Sequence, residues 1–71
     1  MKIDRLIKMA NDISDFFNAE SNKEIAAEGV KKHILRSWDL RMRREIIAYC
    51  QKDGTALSDL VRTAVSRLEQ A

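Results

Sequence analysis

Across 71 residues the chain has no proline, and its only glycines are Gly29 and Gly54. Turn-rich β architectures need such breakers at short intervals. Their near absence leaves long, uninterrupted amphipathic segments as the natural local structure. The apolar spacing agrees. It predicts an all-α fold, a single small domain of about four short helices over residues 1–71.

The first segment repeats Ile3, Leu6, Ile7, Ala10, Ile13 and Phe17 at three- and four-residue steps, which places them on one helix face. Met9 and Phe16 widen that face, while Asp4, Lys8, Asp12 and Asp15 lie opposite. A stripe this wide suits a helix packed on more than one neighbour. Met9 and Phe16, at its edge, are candidates for contact with another chain. After the polar break from Asn18 to Asn22, Ser21 and Glu24 have the spacing of a capping box. The second helix then carries Ile25, Ala26, Val30, His33 and Ile34 inward. Gly29 inside it costs about 1 kcal/mol relative to alanine, a cost that close helix packing would explain.

Asp39 is the natural cap of a third helix whose inner arc holds Met42, Ile46, Tyr49 and Cys50, with Ile47 at one side. Asp53-Gly54 ends it, glycine suiting the left-handed position after a helix. Ser58 caps a fourth helix, with Asp59 in its first turn and Leu57, Leu60, Val61, Ala64, Val65 and Leu68 as its stripe. No internal repeat or low-complexity segment interrupts this order.

A chain this short buries only roughly 60% of its unfolded surface. Marginal domains of this size lean on disulfides, a metal or a partner. Cys50 is the only cysteine and His33 the only histidine, too few for an internal disulfide or a four-ligand zinc site. A partner subunit or self-association is the remaining support. The amino terminus, Met1-Lys2-Ile3-Asp4-Arg5, lacks the apolar run of a signal peptide. No stretch approaches the ~20 apolar residues of a membrane span. With its free thiol, the chain is expected in the cytoplasm.

Net charge is +2, and its distribution says more than its size. From Lys31 to Arg44 six basic residues face Asp39 alone, a local charge of +5, so the rest of the chain carries −3. Within this sector lies Trp38-Asp39-Leu40-Arg41-Met42-Arg43-Arg44, which joins the only tryptophan to three arginines. Tryptophan and arginine are enriched at the energetic centres of protein interfaces. On a helix, Arg41 and Arg44 fall with Ala48 on the outer side, whereas Arg43 falls inside the apolar arc. Arg43 must therefore meet a carboxylate, a carbonyl or a partner chain, Asp39 being nearest, or let its head snorkel to water. Trp38 reads as a core anchor for most of its ring, with an edge left for a partner.

Catalytic and metal-site spacings are missing. His33 has no HxxxH, HExxH or Cys–His companion, and Cys50 reads as a small buried hydrophobe. There is no glycine-rich phosphate loop, paired-carboxylate motif or cofactor fingerprint. The expectation is a non-enzyme that binds no cofactor of its own.

Two segments resemble a known family. Met9-Ala10-Asn11-Asp12-Ile13-Ser14-Asp15-Phe16-Phe17 and Trp38-Asp39-Leu40-Arg41-Met42-Arg43 are similar to the signatures of the delta subunit of NAD-dependent formate dehydrogenase. The part from Gly54 to Leu68, with Leu57-Ser58-Asp59-Leu60-Val61, resembles its closing region. Leu40 stands where the family usually has proline, and Ser58-Asp59 where a proline is also common. The resemblance implies a non-catalytic accessory subunit of a cytoplasmic complex that oxidises formate and reduces NAD. In such complexes the large alpha subunit holds a molybdenum or tungsten pterin and iron–sulfur clusters. The beta and gamma subunits hold FMN and further clusters. The delta subunit is implied to stabilise the assembly or assist cofactor insertion.

The expected partner is the large subunit, with Trp38, Arg41, Arg43 and Arg44 contacting it or positioning the contact. Two rivals follow from the residues. One is a small DNA-binding or antitoxin-like regulator, suggested by the basic sector and the Ser58-Asp59-Leu60-Val61-Arg62 helix start. Against it, the basic residues spread over two helices and no helix-turn-helix turn is evident. The other is a self-associating helical module.

Overall fold

The structure, a computed structural model, describes residues 2–69. The expectation of one domain over 1–71 therefore extends, at Met1, Gln70 and Ala71, beyond the described residues. Four helices follow in order: α1 (Ile3–Phe17), α2 (Lys23–Ser37), α3 (Leu40–Lys52) and α4 (Asp59–Glu69). They surround one core, with α2 packed most extensively on α4 and next on α1.

In α1, Leu6, Ala10 and Ser14 recur every fourth residue and are fully buried, with Ile3, Ile7, Met9, Ile13 and Phe17 packed beside them. Ser14 is the one buried polar side chain of this face. Its hydroxyl shares a 2.9 Å hydrogen bond with the Ser58 hydroxyl at the start of α4, which offsets the cost of burying it. Asn11, one turn earlier, donates through Nδ2 to the Ala56 carbonyl at 2.9 Å and accepts from the Ser58 amide at 3.0 Å. The loop before α4 is thus tied to the middle of α1.

The start of α2 differs from the expected capping box. Asn22, not Ser21, is the cap: its Oδ1 accepts from the Glu24 and Ile25 amides at 3.0 and 3.3 Å. The helix begins at Lys23, so the residue just before it holds the position that can reach the free amides. Glu24 is then released from capping, and its carboxylate meets Arg67 on α4. Arg67 also bonds Glu28 at 2.8 Å, so one guanidinium bridges two turns of α2.

The inner face of α2 is also rotated from the expected one. Ala26, Ala27, Val30 and Ile34 are fully buried, whereas Ile25 and His33 face outward. Ala26 and Ala27 take inward positions on the helix that packs most extensively on α4. Gly29 lies at the edge facing α1. A Cβ there would come within 2.5 Å of Phe17 Cε1, so the Phe17 ring occupies the space a side chain would fill.

Trp38 follows α2 and is 4% exposed, a core residue at the corner between α2 and α3. Asp39 caps α3, its Oδ1 accepting from the Met42 amide at 2.9 Å. Ile46 is the fully buried centre of α3, flanked by Met42, Ile47, Tyr49 and Cys50. Asp53 and Gly54 end the helix, with Gly54 at φ 73. Ser58 Oγ accepts from the Val61 amide at 3.2 Å and opens α4, whose whole expected stripe from Leu57 to Leu68 is buried.

Candidate partner interface

The outer side of α3 presents Leu40, Arg41, Arg44, Glu45 and Ala48 around a shallow groove. Leu40 is 52% exposed, and both arginines are exposed. Neither arginine has an ion-pair partner among the described residues. Helix periodicity puts them there, and two anchors hold the helix in place: the Asp39 cap at its start and the buried Trp38 ring one residue before. Glu45 at the groove edge has one oxygen, Oε2, shut from solvent and without a hydrogen-bond partner among the described residues. A buried acceptor left unpaired is costly.

Arg43 takes the carbonyl option foreseen for it. Half-buried, it donates through Nε to the Asp39 carbonyl at 3.4 Å. The Asp39 carboxylate is already engaged in the cap. Arg43 therefore braces the first turn of α3, and Trp38 shapes the corner from inside. Arg41 and Arg44 are the arginines of the segment left exposed.

The two residues picked on α1 lie apart from this face. Met9 is half-buried against the core beside Asp4, Arg5, Lys8 and Asp12. Phe16 is 77% exposed at the end of α1, its ring resting edge-on against Phe17 at 5.2 Å between centroids. A second groove is floored by Phe17, Ala26 and Gly29, with the 58% exposed Ile25, Lys32 and the carboxylates of Glu20, Glu24 and Glu28 at its margin, the last two engaged by Arg67. Sequence periodicity missed Ile25 because it assigned that residue inward. It also missed the exposure of Leu40. Its only sequence signal is a bulky apolar side chain on the first turn, out of phase with the inner arc of α3.

Electrostatic detail is concentrated on the α2–α4 bridge. The hydrogen bond from Arg67 holds the Glu28 carboxyl below the usual carboxylate range, and the same contacts raise the Arg67 guanidinium. Burial, with Glu69 nearby, pushes the Cys50 thiol up, in keeping with a packing rather than a reactive role. His33 is exposed on α2. Among the described residues, no group of three or more His, Cys, Asp or Glu side chains is arranged to hold a metal ion. No helix among them is long and apolar enough to cross a membrane.

The family model of the NADH-dependent formate dehydrogenase delta subunit FdsD matches residues 5–65. The chain belongs to the FdsD family. No curated protein and no solved structure matches it. The FdsD match runs from the first turn of α1 into α4 and takes in both grooves, the Asn11–Ser58 tie and the Trp38 corner. Membership of FdsD links the chain to a formate dehydrogenase complex. Two of the resembling segments meet in space, since Asn11 and Ser14 of the first bond Ala56 and Ser58 of the closing region.

Proposed function

We propose that this chain is a non-catalytic accessory subunit of a cytoplasmic NAD-dependent formate dehydrogenase, docking on the large subunit and stabilising it in the assembled complex. The observation that carries the reading is the pair Arg41 and Arg44, exposed and unpaired among the described residues, beside an exposed Leu40 on a firmly anchored helix. Arginine forks onto a carboxylate with two parallel hydrogen bonds, and a neighbouring apolar anchor excludes water from the contact. Acidic side chains of the large subunit are the fitting complement. Trp38 and Arg43 act by positioning: one fixes the angle between α2 and α3, the other braces the turn that presents the arginines.

In this reading the chemistry belongs elsewhere in the complex. The molybdenum or tungsten pterin, the iron–sulfur clusters and FMN reside in the partner subunits, and this chain holds none. A role in cofactor loading predicts a different phenotype from a role in stabilisation. Deleting the chain and measuring both assembly and metal content separates them. Loss of assembly supports the stabiliser. Normal assembly with an empty cofactor site replaces it with a loading role, and an unchanged, fully loaded complex refutes both.

A further inference from the structure

Glu45 Oε2 is shut from solvent and accepts no hydrogen bond among the described residues. The fold around it accounts for neither fact. Glu45 lies beyond the first turn of α3, so the helix dipole does not favour a carboxylate there. Helical support would have to come from residues three and four positions away. On one side these are Ala48 and Tyr49. The Tyr49 hydroxyl is engaged elsewhere, accepting from the Ala56 amide at 3.0 Å and donating to Asp53 Oδ2 at 3.5 Å. On the other side they are Met42 and Arg41. Arg41 makes no ion pair among the described residues, and a cation placed before its carboxylate is the weaker order on a helix. An apolar side chain would fill the half-buried site without the cost of an unpaired acceptor.

The place of the side chain is informative. Glu45 and Ala48 line the arginine groove, and they also line a neighbouring groove with Ile3, Tyr49 and Lys52. The carboxylate thus sits on the ridge between the two, and a change of side-chain rotamer turns it into either. Around it stand Arg41, Arg44 and Lys52, none with an ion-pair partner among the described residues. A further cation brought to Glu45 meets their repulsion, so a neutral N–H or O–H is the fitting donor.

We propose that Glu45 is a specificity-determining residue of the docking face, its carboxylate accepting a hydrogen bond from a neutral N–H or O–H donor of the large subunit. The face then runs past the arginines, across Ala48, toward Tyr49. The free chain carries the unpaired oxygen at a cost to its stability, and docking removes that cost. This rests on the accessory-subunit reading given above.

The test uses formate dehydrogenase purified without this chain, titrated with the full chain and its variants. Glu45→Leu removes the acceptor. It is expected to raise the Tm of the free chain by about 4 °C, because the orphan is gone. The same variant should bind about tenfold more weakly. Glu45→Gln keeps an acceptor and should bind within about threefold of the unaltered chain. Opposite effects of Glu45→Leu on stability and on affinity, with rescue by glutamine, support the proposal. A lowered Tm in Glu45→Leu shows the carboxylate supporting the free fold and overturns it. Unchanged affinity in Glu45→Leu also overturns it, while leaving the arginine face intact. If Glu45→Gln binds as poorly as Glu45→Leu, the residue acts through its charge and the neutral donor is wrong. Failure of the unaltered chain to bind refutes the accessory-subunit reading itself.

Discussion

Gly29→Ala isolates the contact that seats α1 on α2. In an unconstrained helix the change stabilises by about 1 kcal/mol. Here the new methyl would lie 2.5, 2.7 and 3.1 Å from Cε1, Cδ1 and Cζ of Phe17. Ordinary carbon contacts sit near 3.5–4.0 Å, so the ring has to move by about 1 Å. Overpacking of this kind costs about 1–3 kcal/mol. Subtracting the helix gain leaves a net loss of about 1 kcal/mol. In a domain this small that lowers Tm by about 4–8 °C.

A second background decides the cause. With Phe17→Ala already present, the obstruction is gone, and Gly29→Ala should stabilise by about 1 kcal/mol. The sign therefore reverses between backgrounds, with a coupling of about 2 kcal/mol. Urea unfolding followed by circular dichroism measures all four corners of the cycle. A stabilising Gly29→Ala in the unaltered chain, or an equal effect in both backgrounds, refutes the packing role of this glycine.

Asn11→Ala removes two of the three hydrogen bonds by which α1 holds Ala56 and Ser58, leaving the Ser14–Ser58 bond, and should cost about 1–2 kcal/mol in chemical denaturation. Gly54→Ala should cost about 1–2 kcal/mol by the same assay, because an alanine at φ 73 is strained and its Cβ would press to 3.1 Å from the Cys50 carbonyl. The Glu28 carboxyl is lowered by Arg67, so its stabilisation is present above the ordinary carboxylate range and is lost as pH falls through the lowered value. Unfolding midpoints from pH 7 down to pH 3 (approximate assay limits) should fall less steeply in Glu28→Gln than in the unaltered chain. Parallel pH profiles would contradict that assignment.

The helix ends were largely readable because capping is chemistry between near neighbours. Asp39 and Ser58 each precede their helices by one residue, and Asp53-Gly54 has the composition of a stop. The stripe of α4 was readable for a related reason: Leu57 to Leu68 is apolar enough that only one face can go inward. In α2 the pattern is ambiguous. Ile25 and His33 on one side and Ala27 on the other are comparable choices until the neighbouring helices are placed, and the structure turns Ala27 inward. Ser21 and Asn22 differ by a single step, which a pattern of caps does not resolve.

Long-range partners were not legible at all. Nothing local joins Arg67 to Glu24 and Glu28, or Asn11 to Ser58. The arginine face was legible in part. Helical phase separated Arg41 and Arg44 from Arg43, but the exposed Leu40 beside them and the orphaned oxygen of Glu45 emerge only from the packing.

The central claim is that the arginine face of α3 joins this chain to its enzyme complex. It is tested most directly by the affinity of the Arg41→Glu, Arg44→Glu double variant for formate dehydrogenase purified without the chain. Both side chains are exposed, so the helical spectrum and Tm should match those of the unaltered chain. The account predicts that binding falls by about a hundredfold or more, as two charge-assisted contacts turn into repulsion. Binding at unaltered affinity by the folded double variant would contradict it.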